Sequence, residues 1–465
     1  MATVRNDDGA PAAVGVDVLI AGGGAAGLVA ALAAAERGLG VLVVERDKVA
    51  RGSTSLSAGL IPAPATRYQT ASGIADSVDA FAADILRKAH DEPDRAQVRL
   101  LAETIGPAIE WLGDAYGLPF SVVDNFTYPG HSAMRMHGLP SRSGAELIDR
   151  LRAAAETAGI DVVTNATVET LVRRDRIITG AIIVRGDGTR ERIGCGAMIL
   201  ACNGYGGEPD LVRRHIPEIS GALYFGHPGN RGDAILWGEA LGATVRHLSG
   251  YQGHGSVAHP HGILITWATI TEGGFQVNRD GQRFANEARG YSEAAAAVVA
   301  QRDAAAWTIF DTRIAGIARQ FEDFKSAEAQ GAIKVAPTID ALAAACGLPR
   351  AALEETFATV AAAKRAAATD AFGRSWAGVP HLRPPYAAVR VTGALFHTQG
   401  GLVVDDQARV VDESGRAFPN LHAVGGAACG VSGAGASGYL SGNGLLTAIG
   451  YGYIAGRSVR VAPAS

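Results

Sequence analysis

The chain has 465 residues, with 42 Lys and Arg against 46 Asp and Glu, and a formal net charge of −4. Charges of both signs are mixed, which gives no basic footprint for nucleic acid and no acidic tail. Four cysteines (Cys195, Cys202, Cys346 and Cys429) show no CxxC spacing; this argues against a disulfide scaffold, a zinc site or an iron–sulfur cluster and suits a reducing cytoplasm.

The N-terminus, MATVRNDDGAPAAVG, lacks an apolar core behind a basic start, so no signal peptide is expected. VDVLIAGGGAAGLVAALAAAERG then reads as an apolar strand, a glycine turn and an alanine-rich helix, and VLVVERD as a second strand ending in Glu45. Val18 to Ala35 is an uncharged run near the length of a membrane span. Its central GGGAAG and polar flanks favour a buried strand–turn–helix. The spacing Gly22-x-Gly24-x-x-Gly27 is a dinucleotide fingerprint: Gly22 makes the turn, Gly24 admits a pyrophosphate, and Gly27 lets helix pack on strand. Glu45 follows at nearly the roughly 20 residues expected for an acid on ribose hydroxyls.

RGSTSLSAGL, residues 51 to 60, adds hydroxyls at Ser53, Thr54, Ser55 and Ser57. A run of short strands with a GDGT hairpin turn closes on a second glycine turn, Gly204 to Gly207. From about Gln252 to Thr398 the chain turns to alanine-rich helical segments. One of these, TIDALAAACGLPRAALEETFATVAAA, imitates a helix-turn-helix, but Glu354 and Glu355 make a poor face for phosphates. The C-terminal part gives a strand, a glycine turn and a helix. Within it GASGYLSGN, residues 435 to 443, sets Tyr439 and Ser441 among glycines. The 60 glycines follow no repeat, so tight turns and close backbone–ligand contacts are their expected reason.

In order and spacing, these blocks resemble the FAD domain of the fumarate reductase and succinate dehydrogenase flavoprotein superfamily over essentially the whole chain. The resemblance implies an α/β fold: a Rossmann-like FAD-binding domain of the fumarate reductase type over residues 1–251 and 398–465. An inserted α+β capping domain, 252–397, would close over the flavin and exclude water. It implies cofactor contacts from Gly22, Gly24, Ala25, Ala26, Gly27, Glu45 and Arg46, and then from Ser53, Thr54, Ser57, Ala58 and Gly59. Further contacts are implied from Val168, Ala201, Asn203 and Gly204, and from Gly425, Gly442, Asn443 and Leu445. Respiratory members attach FAD through a histidine where Ser53 stands here, so non-covalent FAD is expected. A Gly–Glu pair common in the family is replaced by Gly425–Gly426.

The superfamily moves a hydride between carbon and flavin while a protein group moves a proton on the adjacent carbon. NRDGQRFANEARGYS, residues 278 to 292, resembles the block that carries the proton-delivering arginine of soluble fumarate reductases, and that position falls on Tyr291. A carboxylate-clamping arginine falls on Tyr439, and an upstream Glu and Arg fall on Trp267 and Ile270. The two tyrosines instead resemble 3-ketosteroid dehydrogenases, and the Δ4-(5α) branch has a late GYxSG turn matched by Gly438, Tyr439, Ser441 and Gly442. Protons next to a ketone are weakly acidic, so a base succeeds only where the enolate is stabilised. The resemblance implies Tyr291 as proton acceptor, Tyr439 polarising the carbonyl or sharing the base role, and Ser441 in a relay.

ALFHTQGGLVVD resembles the fumarate reductase block whose histidine binds a carboxylate, which makes His397 a catalytic candidate. His259, Arg289, Arg135 and Gly442 are substrate-binding candidates, with His137 close to Arg135. These cations suit a small cyclic oxo acid, such as an oxocyclohexanecarboxylate, as well as a steroid, and the lack of a long cap insertion favours the smaller one. The expected protein is a cytoplasmic FAD-dependent dehydrogenase acting on a small-molecule ketone, with an external quinone- or dye-like acceptor and no metal, nucleic-acid partner or membrane span. The alternatives are reduction of an unsaturated carboxylate and a flavoprotein subunit that passes electrons to a partner.

Overall fold

Val14–Ala21 and Val41–Val44 pair in parallel, with Val18 opposite Val41 and Ala21 opposite Val44. They lie inside a nine-stranded sheet of the computed structural model, which describes residues 2–124 and 127–461. The strand order is Thr3–Asn6, Ala166–Arg174, Ile177–Arg185, Arg190–Leu200, Val14–Ala21, Val41–Val44 and Asp161–Val163. Ala417–Ala423 runs parallel to Arg190–Leu200 and carries Arg409–Val411 on its other side. Strands covered on both faces read as unbroken apolar runs, which is why Val18 to Ala21 is wholly buried.

The helix Ala25–Ala35 leaves this sheet at the glycine turn and packs on the helix Asn443–Ser458. A Cβ at Gly452 would lie 2.7 Å from the Ala26 carbonyl oxygen, and one at Gly456 2.5 Å from that of Ala30. Part of the glycine excess therefore serves helix-on-helix contact, beyond the turns and ligand approaches that composition suggested. Among the described residues no helix is long and apolar enough to cross a membrane.

The chain divides into two units. Met1–Leu211, Gly226–Tyr251 and His397–Ser465 form the first; Val212–Phe225 and Gln252–Phe396 form the second. The second is built on a seven-stranded sheet in which Tyr386–Thr398 pairs with Ala305–Asp311, Ile333–Ala336 and Leu223–Tyr224. Two helices, Ile339–Cys346 and Arg350–Arg365, form the stretch that imitates a helix-turn-helix. Their Leu342, Leu353, Phe357 and Val360 join Phe275, Ile309 and Trp376 in one core, so the pair is a packing element.

The segment leading to Tyr291 is fixed by buried charge. Glu287 accepts from Arg283 (2.7 Å), from Arg374 (3.0 Å) and from the Gln276 N–H (2.9 Å). The Arg374 guanidinium also sits 3.9 Å above the Trp376 ring. Removing one member of a buried ion network strands the others without counter-charge. Glu287→Ala should therefore cost about 3–5 kcal/mol, read as a lower urea midpoint; an unchanged midpoint would contradict this anchoring.

Candidate functional site

In the first unit, Gly22 has φ +110°, and a Cβ there would meet the Ala201 carbonyl oxygen at 2.5 Å. A Cβ at Gly27 would fall 2.0 Å from the Gly22 carbonyl oxygen, so helix and strand touch backbone to backbone. Ala25 and Ala26 form the buried first turn of the helix, and Gly24 at its N-cap supplies no side-chain cap. The Ala25 N–H is taken by Thr54 Oγ1 at 3.0 Å. Glu45 is buried and accepts from the Gly23 N–H (2.8 Å) and the Asp47 N–H (3.0 Å), which fixes its carboxylate beside the turn. Arg46 is paired with Asp233 at 2.6 Å.

The Ser53 hydroxyl accepts from Asn203 Nδ2 (3.0 Å) and Asn230 Nδ2 (2.8 Å). Ser57 Oγ donates to the Thr54 carbonyl and accepts from the Gly59 N–H, closing a turn around Ala58. Val168 is buried in its strand, and Ala201 donates to the Ala21 carbonyl. Asn203 Oδ1 accepts from the Gly204 N–H at 2.8 Å. A Cβ at residue 426 would lie 2.1 Å from that Oδ1, so the acid of the family's Gly–Glu pair would require the Asn203 side chain to move.

The second helix start lies in GASGYLSGN. Gly442, φ +91°, is the N-cap of Asn443–Ser458 and again offers no side-chain cap. Asn443 is fully buried, and its Nδ2 donates to Ser432 Oγ, while Leu445 packs against the main core. Tyr439 and Ser441 are buried, and the Ser441 carbonyl accepts from His131 Nε2 at 2.9 Å. His397 meets the Tyr439 ring edge-on, with centroids 5.6 Å apart at 80°. Burial pushes its imidazole down to about 4, so it stands neutral at neutral pH.

These features fit a bound FAD. Two helix starts without side-chain caps offer N–H groups and dipole to phosphate and to a polarised ring. Glu45 is a buried carboxylate fixed beside the glycine turn, suited to ribose hydroxyls, and the buried Asn443 Oδ1 has no hydrogen-bond partner among the described residues. The residues that would hold the cofactor are the Gly22–Gly27 turn, Glu45, the Ser53–Gly59 segment, Asn203 and the Gly442–Asn443 helix start.

In the second unit, the helix Tyr291–Val299 lies tight on the sheet, since a Cβ at Gly255 would meet Ala294 Cβ at 2.6 Å and one at Gly393 the Ala295 carbonyl at 2.4 Å. Tyr291 stacks on His254 (5.0 Å, 19°), His254 on Phe396 (5.6 Å, 23°), and Phe396 on Phe225 (5.0 Å, 19°). Trp267, Ile270 and Ala294 form the apolar cluster against which Tyr291 packs. His254 Nδ1 accepts from the Ser256 N–H at 3.1 Å, and burial pushes the ring down to about 3. A neutral His254 therefore carries its proton on Nε2. Sequence reading named His259 and missed His254, although the strand Tyr251–Ala258 has its histidine inside and His259 lies exposed on the turn that follows. Arg289 is exposed and makes no ion pair among the described residues.

Arg135 departs from its expected substrate role. Its buried guanidinium binds Asp76 at 2.8 Å and also Asp84, which leaves it committed within the fold. His137 is likewise committed, to Thr66 Oγ1 and the Arg135 carbonyl. Asn230 went unnoticed in the sequence because no local motif marks it, whereas His131 lies in GHSAMRMH, where only Arg135 and His137 were singled out.

A family profile described as FAD binding domain matches residues 17–445. The probable fumarate reductase Ifc3 of Shewanella frigidimarina (strain NCIMB 400) is 30% identical over 444 residues, covering 94% of this chain and 74% of that one. The 4-oxocyclohex-2-ene-1-carboxylate 5-dehydrogenase of Sinomonas cyclohexanicum is 26% identical, covering 96% and 94%. Among solved structures, the open conformation of a flavocytochrome c3 fumarate reductase superposes with a TM-score of 0.83 at 29% identity, covering 97% of this chain and 79% of that one. The 3-ketosteroid Δ4-(5α)-dehydrogenase of Rhodococcus jostii RHA1 shares the fold, with a TM-score of 0.78 at 24% identity, covering 98% and 99%.

The Arg135 network makes a pH prediction. Burial alone would raise the Asp84 carboxyl, but Arg135, Ser132 and Arg87 more than offset it and hold it down at about 2. Its stabilising contribution is therefore complete above its ordinary 3.8 and is lost as pH falls through about 2. Arg135→Met should remove that acid dependence and cost about 3–5 kcal/mol while leaving substrate KM unchanged. A raised KM with unaltered stability would restore the substrate-binding role.

Proposed function

The chain belongs to the FAD binding domain family and is an FAD-dependent oxidoreductase acting on carbon–carbon bonds; we propose that it desaturates the bond next to a ketone. The observation that carries this reading is the setting of Tyr291, a phenol stacked on a neutral imidazole and packed on Trp267, Ile270 and Ala294. Such surroundings suit a ketone α-proton better than a carboxylate that needs cationic clamps. The substrate class is a cyclic ketone, either a 3-ketosteroid or a smaller oxo acid such as an oxocyclohexanecarboxylate. The name of the Sinomonas relative supports the smaller one.

Bound FAD supplies the acceptor for the hydride that leaves the β-carbon. Tyr291, as its phenolate, takes the α-proton and becomes the phenol, and the electron pair of that C–H bond becomes the new C=C bond, leaving the ketone intact. Its place at the head of the helix Tyr291–Val299 favours the phenolate form that accepts this proton. Tyr439 donates to the ketone oxygen, with Ser441 in the proton relay. Arg289 is the cation available to the carboxylate of an oxo acid, whereas Arg135 is spent within the fold and His259 faces solvent. The electron acceptor is external, a quinone or a dye-like compound. Four free cysteines are the basis for placing the protein in the cytoplasm.

The second reading is reduction of an unsaturated carboxylate, favoured by the relatives named fumarate reductase. Against it, tyrosines stand at 291 and 439, and the neutral His397 offers no positive charge.

Tyr291→Phe and Tyr439→Phe should each lower kcat about 10²–10⁴-fold with flavin content unchanged; full turnover in both would overturn the assignment. Acid precipitation should leave the flavin in the supernatant, because Ser53 replaces the attaching histidine. Flavin in the pellet would mean a covalent bond.

A further inference from the structure

We infer that Gln399 is a positioning residue that makes His397 a one-way hydrogen-bond donor, presenting Nε2–H to a neutral carbonyl and thereby selecting ketones over carboxylates. This rests on the desaturase reading for its substrate but on geometry alone for its hydrogen-bond polarity. Gln399 Nε2 lies 2.6 Å from His397 Nδ1, whereas the Thr398 carbonyl, the competing partner, is 3.4 Å away. The shorter contact wins, so Nδ1 accepts and the imidazole proton belongs on Nε2.

The amide is itself oriented from behind. Asn443 Nδ2 donates to Ser432 Oγ (2.9 Å), which leaves the serine proton for Gln399 Oε1 (2.7 Å) and the amide N–H for His397. Gln399, Ser432 and Asn443 are all buried, where reversing one dipole means reversing every one. The chain thus has two poles. At one, His397 Nε2 has no hydrogen-bond partner among the described residues. At the other, Asn443 Oδ1 is buried and unpartnered, an acceptor that calls for an N–H or O–H of a ligand. Gly444 admits the ring, because a Cβ there would stand 2.9 Å from His397 Cε1 and 3.0 Å from Nε2. A neutral N–H stabilises the negative charge that grows on a ketone oxygen. It lacks the full positive charge that would draw in a carboxylate.

Ring-¹⁵N-histidine labelling of the FAD-loaded protein reads this directly. The signals of His397, one of 12 histidines, are identified by their loss in His397→Gln. In the wild type, Nε2 should be protonated and Nδ1 bare. In Gln399→Glu, a carboxylate with no N–H to give should transfer the proton to Nδ1. A wild-type Nδ1–H, or identical spectra for wild type and Gln399→Glu, would overturn the inference; should the variant fail to fold, the wild-type spectrum alone decides. Gln399→Met should lower the kcat/KM ratio of cyclic ketone over fumarate by about tenfold, the worth of one hydrogen bond. An unchanged ratio would remove Gln399 from specificity. If the wild type turns over no ketone, the desaturase reading fails while the tautomer is still measured on its own.

Discussion

Loss of hydration at two imidazoles, one in each unit, fixes the charge that each can present. Burial pushes His397 to about 4 and His254 to about 3, so both stand neutral over the physiological range. Each has Nδ1 occupied by a donor, the Gln399 amide in one unit and the Ser256 N–H in the other. These two histidines are therefore dipoles aimed by their neighbours rather than cations. Each is also placed by packing, His254 within an aromatic column and His397 over a helix start cleared by Gly444.

What could be read from the sequence was whatever the backbone or a ligand dictates over short range. The Gly22-x-Gly24-x-x-Gly27 turn is legible because a Cβ at Gly27 would strike the Gly22 carbonyl, and no other residue can stand there. Tyr291 and Tyr439 stand out as candidates because each sits in a fixed local pattern, beside RFANE and inside GYLSG. The ion pairs of Arg135 were not legible because its counter-ions, Asp76 and Asp84, lie 59 and 51 residues away in sequence. His254, Asn230 and the Gln399–Ser432–Asn443 chain stayed hidden for the same reason: tertiary contact alone gives them meaning. The glycine excess was half explained, since Gly452 and Gly456 serve packing between helices.

A shared fold does not decide among reactions. Fumarate reductases and ketone dehydrogenases both lie among the relatives, at similar identity and with coverage of nearly the whole chain. The proposed choice rests on side chains: phenols at 291 and 439, apolar Trp267 and Ile270, and an Arg135 committed to Asp76.

The most direct measurement is an anaerobic contest. The FAD-loaded protein is photoreduced and mixed separately with a cyclic 2-enone, such as 4-oxocyclohex-2-ene-1-carboxylate, and with fumarate, while flavin absorbance is followed. Rapid reoxidation by the enone and little by fumarate is the predicted result. Rapid reoxidation by fumarate alone would contradict the ketone account.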